Sequence, residues 1–382
     1  MGGRTGERSA SEHGASVLLR TTVFREPGRF AGWPANYGMW VWGEEVLVGF
    51  VVGDLGRPDG LHARDTTSPF VPIFARSLDG GRTWRTESFR GRTPGAASLS
   101  ADEHVVAELA AGPRLRDGEL SPLRDPIDFS DPETVVLCAR TGLAAGARSW
   151  FYVGRDRGRV WDGPYALPDF GLPGVAARTD IVPLSSHSAL WLLTGAKADG
   201  SEGRVFVAHT ADGGRTFRRR GWVGDEPDGW TIMPSSVRLS DGAVVSAVRC
   251  AGAGRSRHWI DLYRSDDAGR SWSLIATPVP DTGNGGNPPA IARLADGRLL
   301  LVYGSRREPY GLRCVTSSDD GETWSVPELL TTDTAVRDMG YPRVVTFDDG
   351  SVLACFYTNA SAEGERFVEA VRWHPRTGTN RS

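Results

Sequence analysis

The sequence predicts an all-β protein, a six-bladed β-propeller, on three observations. An octapeptide turn recurs along the chain, a second repeat of paired apolar runs lies out of phase with it, and no convincing amphipathic helix interrupts either. The 382 residues, 40% of them hydrophobic, are enough to bury a large core in one domain. Gly and Pro, 48 and 24 in number, are spread through the chain and break every helical candidate.

The octapeptide reads SLDGGRTW at 77–84, TADGGRTF at 210–217, SDDAGRSW at 265–272 and SSDDGETW at 317–324, with a weaker GRDRGRVW at 154–161. Its aspartates, Asp79, Asp156, Asp212, Asp267 and Asp319, are spaced 77, 56, 55 and 52 residues apart. A period of about 50 residues is what one four-stranded blade and its connections require. The chemistry is that of a hairpin turn. Asp accepts from nearby backbone N–H groups, Gly supplies a left-handed position, Ser or Thr ties the loop, and the aromatic residue packs beneath it. The run of alternating oxygen ligands that calcium needs is absent from these boxes, so they read as structural.

In the second repeat a polar or aromatic cluster precedes an apolar run, a turn often spelled Asp-Gly, and another apolar run. Six copies begin at ANYGMWVW, DPIDFSDPETVVL, ARTDIVPLSS, WTIMPSSVRLSDG, NPPAIARLADG and DMGYPRVVTFDDG. RLSDGAVVSAV, RLADGRLLLVY and TFDDGSVLACF are each a hairpin of two buried strands. The last blade carries no box, and an N-terminal strand near Ser16–Phe24 is expected to close it by pairing with Phe367–Trp373, which removes free sheet edges. The domain then spans 16–375, between a polar N-terminal tail at 1–15 and a short C-terminal tail at 376–382. The polar, Pro-containing stretch 111–127 is the expected insertion in the longest interval.

Net charge is −3, so no global field draws nucleic acid or an anionic membrane, and neither is expected as a partner. No apolar run is long enough to span a bilayer. Lys197 is the only lysine among 44 basic residues, a bias that says nothing by itself about anion binding. Cys138, Cys250, Cys314 and Cys355 sit far apart in apolar runs and read as reduced core residues. The polar N-terminus has no signal-peptide pattern, which reads as cytoplasmic unless a leader precedes it. The histidines show no metal-ligand spacing, and phosphate-loop and dinucleotide motifs are lacking, so no metal and no cofactor are expected.

In a propeller the inner strands converge at one mouth. The residues that open them here are Asn36 and Tyr37, Asp128, Arg178 and Asp180, Trp230 and Met233, Asn284 and Asn287, and Asp338 with Tyr341. Loops after the second strands add His62 and Asp65, Arg249, and Arg306 to Glu308, with Arg313 just beyond. A set rich in Arg, Asp and aromatic residues suits a hydroxyl-rich anionic ligand, because Arg pairs a carboxylate through two parallel hydrogen bonds. His62, three residues from Asp65, is a candidate acid or base.

The octapeptides resemble the Asp boxes of the sialidase superfamily over about residues 17–374. That resemblance implies a sialidase-like exo-glycoside hydrolase that holds a substrate carboxylate with arginines, protonates the leaving group with Asp and attacks with Tyr. Position by position, Arg249 and Arg313 resemble the second and third arginines, Tyr341 the nucleophile and Asp65 the acid/base. Arg306, Arg178, Asn36, Tyr37, Asp128, Asp180, Trp230 and Asn287 fill out the expected carbohydrate site. Two positions depart from the pattern. Asn36-Tyr37-Gly38 stands where the first arginine belongs, with Arg25 and Arg29 upstream. Met233-Pro234-Ser235 stands where the Glu that activates the tyrosine belongs, which leaves Asp338 or Glu308 to take its part. The alternatives are a polysaccharide lyase or inverting glycosidase that uses His62 and Asp65, and a non-catalytic carbohydrate-binding propeller.

Overall fold

The computed structural model describes residues 16–57, 61–94, 99–100 and 118–376. Within them, apolar and β-branched runs such as Glu45–Asp54, Ala189–Gly195 and Val352–Asn359 form strands buried on nearly every residue. Polar, turn-rich segments connect them. The strands hydrogen-bond into five sheets, mostly as antiparallel meanders. One has nine strands, running from Gly340–Thr346 through Val352–Asn359, Arg366–His374, Arg29–Gly32, Glu45–Asp54 and Val71–Ser77 to Arg85–Ser88. Met39–Trp42 pairs on Glu45–Asp54, and Ser16–Phe24 pairs antiparallel on Arg366–His374. The closing strand therefore lies where the sequence places it.

The other sheets begin at Val135, Val175, Trp230 and Ala290 and have three, five, four and four strands. The first strands of successive meanders pack side by side, and Gly340–Thr346 returns against Met39–Trp42, so the sheets close into a ring. The chain is an all-β propeller, but it does not divide into six separate four-stranded sheets. Arg29–Gly32 bridges Arg366–His374 to Glu45–Asp54 and fuses the last meander with the first. Residues 128–134 form turns instead of an inner strand, because Asp128 and Asp131 spend their carboxylates on the local N–H and hydroxyl groups of Ser130, Glu133 and Thr134.

Four octapeptides behave as structural turns between the third and outer strands. In each, one carboxylate oxygen of Asp79, Asp212, Asp267 or Asp319 accepts from the backbone N–H four residues on, and the other accepts from that residue's hydroxyl. Gly81, at φ 91°, donates its N–H to Ser77 Oγ at 2.8 Å. The weak copy differs: Asp156 and Arg157 themselves take left-handed φ values of 51° and 56°. The four cysteines are buried and unpaired. Of the 111–127 insertion, residues 111–117 lie outside the described residues, as do the N-terminal tail and all of the C-terminal tail but residue 376.

Candidate active site

Two inner strands carry the same local device. Trp230–Arg238 and Gly340–Thr346 each bulge before a proline, at Met233-Pro234 and Tyr341-Pro342, where the strand register slips. Met233 and Tyr341 both adopt a left-handed backbone, at φ 51° and 53°, unusual for large side chains and sustained only by their surroundings. Asn287 holds the Tyr341 bulge: its Oδ1 accepts from Tyr341 N at 2.8 Å, and its Nδ2 donates to Met339 O at 3.0 Å. Gly340, at φ 111°, is required there because a Cβ would fall 2.1 Å from the Asn287 amide. Both bulges meet one guanidinium. Arg249 Nη1 donates to Tyr341 Oη at 3.1 Å and lies 3.4 Å from Met233 Sδ.

Tyr341 faces a cavity of about 440 Å³, within the range of a small-ligand site. Five arginines line it, Arg64, Arg140, Arg178, Arg249 and Arg255, and among the described residues Glu202 is the one carboxylate. Trp33, Trp230 and Ile232 supply apolar wall, and Asn36, His62, His258 and Asn284 supply neutral polar groups. Asn36 Oδ1 accepts from Arg178 Nε at 3.1 Å, and Glu202 lies 3.8 Å from Arg178 Nη2. Burial alone would raise the phenol pKa of Tyr341, but the charges of Arg249 and Arg306 and the Arg249 hydrogen bond outweigh it and bring the phenol below its ordinary value. Burial and then the Arg249, Arg306 and Arg255 charges push His258 down to about 4, so it is neutral at physiological pH.

A second constellation stands beside Tyr341. His62 Nδ1 meets Asp338 Oδ1 at 2.8 Å, and its ring lies edge-on to Tyr341, centroids 6.1 Å apart. Asp338 also accepts from Ala63 N, Tyr357 Oη and Arg366 Nε, at 2.9, 2.8 and 2.7 Å. Burial opposes ionisation of Asp338, yet its bond to His62, the Arg366 charge and the Ala63 N–H hold its carboxyl far below the carboxylate range. Burial lowers the His62 pKa, Asp338 only partly offsets this, and Arg306 and Arg64 lower it further. A neutral imidazole beside an ionised carboxylate is assigned Nδ1–H, which leaves the Nε2 lone pair as a base.

The expected residues divide cleanly. Asn36, His62, Arg178, Trp230, Arg249 and Tyr341 line the cavity, and Asp338, Asn287 and Arg306 stand directly behind it. Arg306 spends its nitrogens on Gly286 O, Met339 O and Tyr357 Oη while its charge sits 5.7 Å from the Tyr341 ring. The rest are placed elsewhere. Asp65 does not line the cavity, because both carboxylate oxygens close a local turn with Thr67 and Ser68. Arg313 lies on a third strand opposite Tyr303 and donates to Pro309 O. Tyr37 is packed into the core, and Asp128 is exposed in its turn with Ser130. Asp180 lines a different cavity with Arg343 and Ser236. Glu308 accepts from the Tyr310 hydroxyl, and Arg25 and Arg29 pair with Glu365 and Asp54. Among the described residues, no carboxylate is hydrogen-bonded to the Tyr341 hydroxyl in place of the missing Glu.

Sequence reasoning missed Trp33, Arg64, Arg140, Glu202 and His258. Arg140 carries a readable signal. It ends the apolar run VVLCAR as Arg249 nears the end of VVSAVRCA and Arg306 follows LLLVYGS, so three buried strands each carry an Arg at or just past their end to this side of the ring.

A propeller of antiparallel meanders with Asp-box turns and an arginine-lined mouth defines the class. A family profile agrees: the BNR repeat-like domain matches residues 109–354, and the chain belongs to that family. A search of curated proteins gives no match. Among solved structures, a Dyadobacter fermentans protein of unknown function superposes with a TM-score of 0.70 at 20% identity, covering 95% of this chain and 100% of its own. The NanB sialidase of Streptococcus pneumoniae superposes at 0.59 with 12% identity over 93% of this chain and 70% of its own. An alpha-L-arabinofuranosidase of Fusarium graminearum gives 0.53 at 15% identity over 93% of this chain and 98% of its own. At these identities the likeness is one of fold, that of a divergent sialidase-like propeller.

Proposed function

We propose that the protein is a sialidase-like exo-glycoside hydrolase that releases a terminal acidic sugar. The observation that carries this reading is the Tyr341 phenol, lowered in pKa and hydrogen-bonded by Arg249, in a cavity where five arginines face one carboxylate. The arginines would hold the sugar's carboxylate beside the anomeric carbon. The Tyr341 oxygen, its proton lost to solvent beforehand, would form the bond to that carbon as the glycosidic bond breaks, a recognised tyrosine variant of retaining hydrolysis. Glu202 is the carboxyl in reach of the cavity to give the leaving oxygen its proton. In the second step water would displace the tyrosine, with His62 Nε2 taking the water's proton and Asp338 supporting the imidazolium. The neighbouring sialidase and arabinofuranosidase propellers support glycosidic chemistry without naming the sugar.

A second reading, β-elimination, rests on the neutral His62 paired with ionised Asp338. The arginines would neutralise a uronate carboxylate, His62 Nε2 would remove the adjacent carbon-bound proton, and the glycosidic C–O bond would break to leave an unsaturated sugar, the leaving oxygen taking a proton from solvent. Purified protein assayed on aryl glycosides of sialic, glucuronic and neutral sugars, and on polyuronates, decides between them. Release of aryl alcohol from an acidic sugar alone supports hydrolysis, and ultraviolet absorbance from an unsaturated uronate supports elimination. Equal rates on neutral sugars, or no turnover of any, overturn both.

A further inference from the structure

The cavity does not end at its rim. Arg255, His258 and Asn284 form a wall shared with a second groove of about 500 Å³, lined also by Arg257, Asp281 and Arg307. The shared wall carries a neutral His258, able to hydrogen-bond without adding charge. Beyond it the groove is strongly basic. Asp281 is paired with Arg307, and although burial opposes its ionisation, the Gly283 N–H and the Arg307 and Arg257 charges keep its carboxyl below the ordinary range. Among the described residues, no carboxylate lies within ion-pair reach of Arg255 or Arg257. The Arg257 guanidinium is nevertheless placed, 5.0 Å from the centroid of the Trp259 ring. Together cavity and groove present seven arginines against Glu202 and Asp281, in a chain whose net charge is −3. The positive charge is gathered on both sides of that shared wall.

We propose that the groove is a second subsite and that the substrate is an acidic oligosaccharide, whose unit next to the terminal one also carries an anionic group read by Arg255 and Arg257. The inference deepens the proposed function and rests on it. With one ring in the space around Tyr341, the neighbouring ring would lie across the shared wall, where basic side chains already stand. Simple long-range steering would favour every anion alike, whereas a subsite rewards only a ligand long enough to reach it.

The test is calorimetric binding at fixed ionic strength of two probe pairs: N-acetylneuraminic acid with its α2,8-linked dimer, and galacturonic acid with its trimer. Tyr341→Phe is introduced into the otherwise wild-type protein and into each Arg257 variant, so that no probe is cleaved. The otherwise wild-type protein should bind the oligomer of one pair about tenfold or more tightly than its monomer. Arg257→Ala should weaken that oligomer about three- to tenfold while the monomer stays within about twofold, and Arg257→Lys should restore part of the loss. Arg257 is exposed, and an unchanged melting temperature confirms that the variant is folded. Equal affinity of the otherwise wild-type protein for monomer and oligomer overturns the subsite while the acidic-sugar reading survives. Equal losses for both ligands in Arg257→Ala also overturn it, in favour of steering. Failure of all four probes to bind overturns the subsite and the acidic-sugar reading together.

Discussion

Met233-Pro234 and Tyr341-Pro342 are two answers to one backbone instruction. Each is a bulged inner strand with a left-handed residue before proline, and each delivers its side chain to Arg249 Nη1. A thioether there is a weak acceptor that fills space and shifts no charge. A phenol in the same setting has a proton to lose, and Arg249 and Arg306 make that loss easier. The fold thus supplies the aim, and the chemistry depends on which side chain receives it. Because Met233 cannot accept a proton, activation of Tyr341 in the proposed reaction would fall to positive charge instead of to a base in contact with it.

The largest test of this contrast is Tyr341→Phe. It should lower turnover by about a thousandfold or more while affinity for the acidic sugar stays within about tenfold, read as a kcat loss at nearly constant binding. A kcat near wild type would reduce Tyr341 to the status of Met233.

Next in size is the anchor of the Tyr341 strand. Asp338→Asn strips the charge from a buried pair with Arg366 and should cost about 3–5 kcal/mol of stability near pH 7. Because the folded carboxyl titrates below its unfolded value of about 3.9, its contribution is present above that pH and lost as pH falls through the folded value. The gap between wild type and variant in urea unfolding should therefore narrow below about pH 4. His62, also lowered on folding, should make both proteins lose stability as pH drops beneath about 6.5. A gap that ignores pH would contradict the ionised pair.

The smallest effect sharpens the other bulge. Met233→Glu places a carboxylate against Arg249 and should raise KM for an acidic sugar about tenfold, by competing for the guanidinium. Met233→Leu, which keeps volume, should change KM and kcat less than about threefold. Unchanged KM in Met233→Glu would mean that Arg249 does not face the ligand's charge.

Much of this was legible before any coordinates. The Asp boxes gave the turns, Ser16–Phe24 gave the closing strand, and the DMGYP run pointed to Tyr341, because these signals are local and repeated. Asp65 and Asp128 were misplaced for a reason visible in their neighbours. DTTS and DFS put a hydroxyl two residues on, and a carboxylate so placed closes its own turn before it reaches a ligand. Arg313 resembles the third arginine by its place ahead of the last Asp box, yet it lies on a third strand opposite Tyr303, while Arg306, one residue past the second strand, brings its charge to the Tyr341 ring. Glu202 and Arg64 reach the cavity from loops, where spacing carries no signal. The merging of first and last meanders through Arg29–Gly32 depends on a contact between distant segments, which no local pattern encodes.

The central claim is that arginine charge, without a partner carboxylate, draws the Tyr341 phenol toward phenolate. It is tested most directly by a pH titration of tyrosine Cζ resonances in selectively labelled protein, with Tyr341→Phe identifying the signal. Burial pushes the phenols of Tyr152, Tyr263 and Tyr357 above their ordinary value and Tyr303 up to about 12, so those four set the internal standard. The account predicts that Tyr341 titrates below 10, apart from all four. A Tyr341 resonance that stays protonated above 10 along with the other buried tyrosines would contradict it.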